Sequence, residues 1–177
     1  LAVCGAATAV DMPNHLEPIP AYGFWSNYQQ LAHEKLVTNR PAEMWMMALA
    51  SRGPEYALIL RKIDAIDSSN SYYELEYACA SKNISYWSGR QDSSAAWLPG
   101  KGIQITRVTA IVPPSVASAL TATWNAVLMQ TRYAEKNWDG EDGTTYQFFA
   151  RPDYFGQTWS PSSGIPKSMV GLAQYRI

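Results

Sequence analysis

The densest set of oxygen-bearing side chains lies in Asn137-Trp138-Asp139-Gly140-Glu141-Asp142-Gly143, where three carboxylates and two glycines surround one tryptophan. Two chemistries are open to such a turn. Its oxygens suit a hard cation such as Ca²⁺, and the glycines allow the tight backbone that a cation needs. The spacing is not that of an EF-hand, because Asp142 stands where that loop requires glycine and the closing glutamate is missing. Alternatively, a pair drawn from Asp139, Glu141 and Asp142 would serve as acid and base on a glycan, making the chain an exported carbohydrate-active hydrolase. Crowding works against that use, since acid and base need opposed environments. The structural role is a hairpin-like connector in which Asp and Gly supply turn geometry.

Other reactive side chains are few. His15 sits in a proline-rich lead-in and His33 on the polar side of the first helix, so both are expected in solvent. Neither has ligands at zinc spacing, and there is no HExxH, CxxC or GxSxG. No catalytic residue, metal site or cofactor is therefore expected. Cys79 alternates with Tyr73, Leu75 and Tyr77 on the inward side of a strand and reads as an inert buried thiol. Glu74 and Glu76 fall on the opposite, solvent side. Asn83-Ile84-Ser85 matches a glycosylation sequon.

Aromatic residues are abundant where turn residues dominate. Trp87, Trp97, Trp138 and Trp159 fall in segments that read as loops. Tryptophan offers large contact area with few rotors and is enriched at partner interfaces. These four, with Asp139, Glu141 and Asp142 as charged contacts, are the expected partner-binding set.

The elements that position them follow from periodicity. Tyr22 to about Val37 has helical spacing and is stopped at Asn39-Arg40-Pro41. Met44–Ala50, Tyr56–Asp64 and Tyr72–Ala80 read as strands joined by short turns, an antiparallel meander with one wet face. Lys82–Gly102 is a long insertion, and loops of that length are often functional. Ile103 and Ile105 resume alternation, and Arg107 breaks its phase, which predicts a bulge or early end. Pro113 and Pro114 open a helix reaching about Tyr133, with Val116, Leu120, Trp124, Val127 and Leu128 on one face. Thr144–Phe149 is a strand, Arg151–Gly164 a loop, and a last helix from about Pro166 turns Ile165, Met169, Leu172 and Ala173 inward. The expected fold is α+β: an antiparallel sheet of about five strands with two or three helices packed on one face.

At 177 residues the chain suits one domain spanning 21–177, after an extended lead-in over 1–20. With 47% hydrophobic and 16% charged residues it can bury a sizeable core. A net charge of −1 with scattered basic residues disfavours nucleic acid as a partner, and no apolar run approaches a membrane span.

Leu1-Ala2-Val3-Cys4 resembles the lipobox of bacterial lipoproteins, with Val3 where that family prefers Gly, Ala or Ser. Ala7-Thr8-Ala9 fits a small-x-small cleavage pattern. The chain opens on Leu, so a preceding export segment is expected, with Cys4 as a lipidation site and an envelope anchor. With the Trp138–Tyr146 stretch and the single α+β domain, these features resemble small exported proteins of Gram-negative bacteria that act as periplasmic inhibitors or immunity proteins. The resemblance implies a periplasmic or envelope-anchored module that binds another protein stoichiometrically, such as a secreted cell-wall enzyme.

Overall fold

In the computed structural model the described residues are 15–19, 26–64, 71–85, 102–133, 143–161 and 164–174. They form one antiparallel sheet of six strands and three helices: α1 (Asn27–Leu36), β1 (Met44–Ala50), β2 (Tyr56–Ile63), β3 (Tyr72–Ala80), β4 (Ile105–Val112), α2 (Pro114–Leu128), β5 (Thr144–Ala150), β6 (Tyr154–Trp159) and α3 (Gly164–Gln174). The strand order is β4-β3-β2-β1-β5-β6. β1 to β4 are neighbours in chain order and form a meander, with the long insertion between β3 and β4. α2 then carries the chain back from the β4 edge, so that β5 pairs with the free side of β1.

Two cores follow from the pleat. Met44, Met46, Ala48, Leu58, Leu60 and Phe148 face α2 and α3, where Ala117, Trp124, Leu128, Met169 and Val170 are buried. Trp124 is the largest of these and tilts onto Phe148 at 5.6 Å between ring centroids. On the opposite face Trp45, Met47, Ala57, Ile59 and Ala78 pack against Leu31, Ala32 and Leu36 of α1. Both faces of the central strands are therefore covered, which is why β1 is buried along nearly its whole length. Among the described residues no helix is long and apolar enough to cross a membrane.

The outcome differs from the sequence pattern in several places. β6 lies inside the segment expected as the Arg151–Gly164 loop, in full register with β5 from Thr145–Trp159 to Ala150–Tyr154. β4 continues through Arg107 without a bulge, each residue from Ile105 to Val112 paired with β3. Val116 is 46% exposed, since α2 turns Ala117 inward instead, and Ile165 and Leu172 of α3 also face outward. His33 is half-buried and not fully in solvent: its ring meets Trp45 edge-on at 5.4 Å.

The largest correction concerns Glu76. It is 3% exposed, on the α1 face and not in solvent. Arg61 of β2 and Arg107 of β4 are its diagonal cross-strand neighbours, and both bond its carboxylate, Arg61 through Nε at 3.3 Å. The two guanidiniums also take up carbonyls at the end of α1: Arg107 bonds Lys35 O at 2.6 Å and Leu36 O at 2.9 Å, and Arg61 bonds Val37, Arg40 and Pro41. Helix ends leave such carbonyls without intrahelical partners and carry negative potential, so two cations there serve as a cap. Burial pulls the Arg61 pKa down and Glu76 opposes the shift. The charge that looked like surface chemistry is the clamp that holds α1 on the sheet.

Of the lead-in, residues 15–19 are described, and they belong to the fold. Glu17 pairs with Gln157 of β6, and Leu16 is 1% exposed in the α2 core.

Candidate functional site

Register puts Ala50, Tyr56, Ala80, Ile105, Thr144 and Trp159 at one end of the sheet. The β1–β2 turn, both roots of the 86–101 insertion, the approach to β5 through Gly143 and the exit from β6 all meet there, beside the first turn of α1. Tyr28, Leu49, Ser51, Ser85, Gly143 and Trp159 line an open depression of about 440 Å³ between them.

A buried carboxylate organises one side. Glu55 follows the tight turn Ser51–Pro54 and is fully buried. It accepts from the Tyr28 hydroxyl at 2.7 Å, from Ile84 N at 2.6 Å and from Ser85 N at 3.2 Å. A carboxylate accepting several donors satisfies its charge locally, which is how it can leave water. Burial first, then the Glu55 charge and hydrogen bond, raises the Tyr28 pKa, so the phenol stays protonated and donating. Asn83 adds a second tie, its amide nitrogen bonding Ala50 O at 2.9 Å and Gly53 O at 2.7 Å. The returning root is stapled to the first, with Ser81 N bonding Gln104 O at 2.8 Å and Gln104 N bonding Ser81 Oγ at 3.0 Å.

The other side is built on Gly143. Ser51 Oγ donates to Gly143 O at 2.7 Å and accepts from Gly143 N at 2.9 Å, and Ser51 N reaches the same carbonyl at 3.0 Å. Ser160 closes the pair, accepting from Thr144 N at 2.9 Å. The Trp159 ring lies so close to Gly143 that a Cβ at this position would overlap the indole. Glycine is required here by close approach, not by backbone angle. Gly143 is thus fixed on the rim next to Trp159.

Of the expected partner-binding residues, Trp159 lies on this rim, half-buried. Trp87, Trp97, Trp138, Asp139, Glu141 and Asp142, as well as Cys4, lie outside the described residues, as does the candidate cation turn. Tyr28, Glu55, Asn83 and Ser51 were not singled out as site residues. Their signals were present as turn chemistry at Ser51–Pro54 and as the Asn83-Ile84-Ser85 triplet, whose asparagine serves as a loop tie. Among the described residues no three His, Cys, Asp or Glu side chains come together to hold a metal.

The opposite end of the sheet carries a wider depression of about 810 Å³, with Trp45, Phe149 and His33 beside the charged Arg40, Glu43 and Arg151. Burial, and secondarily the Arg61 charge, lowers the His33 pKa to about 4, so its imidazole is neutral at physiological pH.

The rim is chemically suited to contact. Glu55 is sealed by its donors and offers no open acid or base, while Trp159, Ser51, Ser85 and Tyr28 present apolar area with hydrogen-bonding edges. Comparison of the chain with protein-family models, with curated proteins and with solved structures finds no match.

Proposed function

We propose that this protein is an exported protein-binding module, an inhibitor or immunity protein that covers a secreted enzyme stoichiometrically. Its contact surface is the loop-bearing end of the sheet, with Trp87, Trp97, Trp138 and Trp159 as anchors and Asp139, Glu141 and Asp142 as charged contacts. The observation that carries the reading is the fixing of both loop roots on one rim: Ser81–Ser85 through Glu55 and Asn83, and Gly143 through Ser51 beside Trp159. Pre-organised roots lower the ordering cost of loops that bind. The envelope as compartment, with Cys4 as a lipid anchor, rests on the lipobox-like Leu1–Cys4.

The test is capture of the partner by the tagged protein from its own cell envelope, followed by titration calorimetry. A single stoichiometric partner is expected, with one or more of the four Trp→Ala variants weakening binding by more than about 2 kcal/mol while the fold is retained. Unchanged affinity in all four variants removes the proposal. Radiolabelled palmitate incorporation that is lost in Cys4→Ser is the expected result for the anchor.

A further inference from the structure

The two edges of the sheet are treated differently. β6 is closed by the chain itself, with Glu17 N to Gln157 O at 2.8 Å and Gln157 N to Glu17 O at 2.7 Å. β4 has no such cover among the described residues. Thr106 to Thr109 are exposed, Val108 at 45% and Ile111 at 76%, and the flanking Tyr72 and Val116 are exposed at 39% and 46%. Two of the eight large apolar residues exposed on the described surface therefore lie on this one strand.

Soluble proteins guard open edges with proline, bulges or outward charges, because the free N–H and C=O groups template further pairing. β4 has none of these guards. It contains no proline, pairs with β3 without interruption, and its one charge, Arg107, is turned back onto Glu76 and the end of α1. Its sequence, Ile105-Thr-Arg-Val-Thr-Ala-Ile-Val112, is β-branched at six of eight positions, which favours a strand.

We propose that β4 is the pairing edge of a symmetric homodimer, in which the β4 strands of two copies run antiparallel and join their sheets. The strand is complementary to itself. Residues opposite each other in an antiparallel pair share a face, so a two-fold axis through Val108 sets Ile105 against Ile111, Thr106 against Ala110, and Arg107 against Thr109. This register brings isoleucine to isoleucine and places neither Arg107 opposite its counterpart. Each Arg107 keeps its own Glu76 and its own helix carbonyls. An unrelated extended peptide is the weaker occupant, because strand addition gains specificity from pockets for alternate side chains. Neither depression described above is lined by β4.

Sedimentation equilibrium tests this on the full chain, together with Val108→Lys and with Val108→Cys in a Cys4→Ser/Cys79→Ser background. Wild type is expected to dimerise. Val108→Lys, which sets two cations against each other at the axis, is expected to raise the dimer dissociation constant by about tenfold or more with unchanged circular dichroism. Val108→Cys is expected to form a covalent dimer on mild oxidation, since opposed Cα atoms lie about 4.5–5.5 Å apart in either pair type. A chain that stays monomeric up to its solubility limit overturns the proposal. So does a dimer that Val108→Lys leaves intact. If Val108→Lys does not fold, the Val108→Cys crosslink decides: a covalent dimer supports β4 pairing, and none overturns it.

Discussion

The Tyr28 hydroxyl donates to the Glu55 carboxylate at 2.7 Å and thereby joins the first turn of α1 to the root of the aromatic insertion. Glu55 is the common acceptor for the helix and for the loop root at Ile84 and Ser85, which are far apart in sequence. Its removal strands three donors at once. Glu55→Ala is expected to lower unfolding free energy by about 3 kcal/mol, measured in urea. Glu55→Gln keeps one acceptor oxygen and should lose less. A loss no larger than that of an ordinary surface substitution would show that the node is not structural.

Glu76 carries a comparable burden beneath α1. Glu76→Leu leaves two guanidiniums without their carboxylate, one of them 1% exposed, and an unpaired buried charge costs about 3–5 kcal/mol. Adding Arg61→Met is expected to recover only part of this, because Arg61 also supplies the carbonyls of Val37, Arg40 and Pro41. Full recovery in thermal melts of the double variant would mean that the helix end does not need its cap.

His33 gives the fold a dependence on acid. Its pKa is about 4 when folded and 6.5 when unfolded. Between these values the unfolded chain binds the extra proton, so stability is full above pH 6.5 and falls as pH drops toward 4, then levels. The window corresponds to about 2 kcal/mol once the partial exposure of the ring is discounted. Denaturant midpoints measured across this range should decline in wild type and decline less in His33→Gln. Parallel profiles would sink the assignment.

Gln147 on β5 is fully buried between Met47 and Gln157, and its amide has no hydrogen-bond partner at either atom among the described residues. Burying an unpaired amide is costly, and methionine has nearly the same shape. Gln147→Met is expected to stabilise the fold by about 1–2 kcal/mol in urea unfolding. A destabilised variant would mean that the amide serves an interaction in the folded protein.

Local pattern carried the sequence reading as far as local pattern decides structure. The bounds of β3 and the opening of α2 followed from alternation and from Pro113-Pro114, both within a few residues of where they act. The second face of β3 did not follow. Tyr73, Leu75 and Tyr77 do pack against the α2 core, but the opposite face is covered as well: Arg61 and Arg107 on neighbouring strands hold Glu76 under α1, and no window along β3 contains them. β6 was hidden for a similar reason. Gly156 interrupts the strand pattern, yet it is needed there because Leu128 and Leu16 crowd the position where a side chain would stand. At the candidate site Trp159 was legible by type. Glu55 was not, because a lone glutamate after a turn reads as solvated until its three donors arrive from elsewhere.

The Glu17–Gln157 pairing joins one of the earliest described residues to one of the last strands. During synthesis Leu16 leaves the ribosome long before Gly156 and Leu128, against which it is buried, so it stays exposed until β6 is made. The meander of β1 to β4 can form in that interval, since all of its strands precede β5 and β6 in the chain. Closure of the β6 edge is then the step with the greatest chain separation, and topology of this kind slows folding. Until that step is taken, the segment around Leu16 has nothing to seal against.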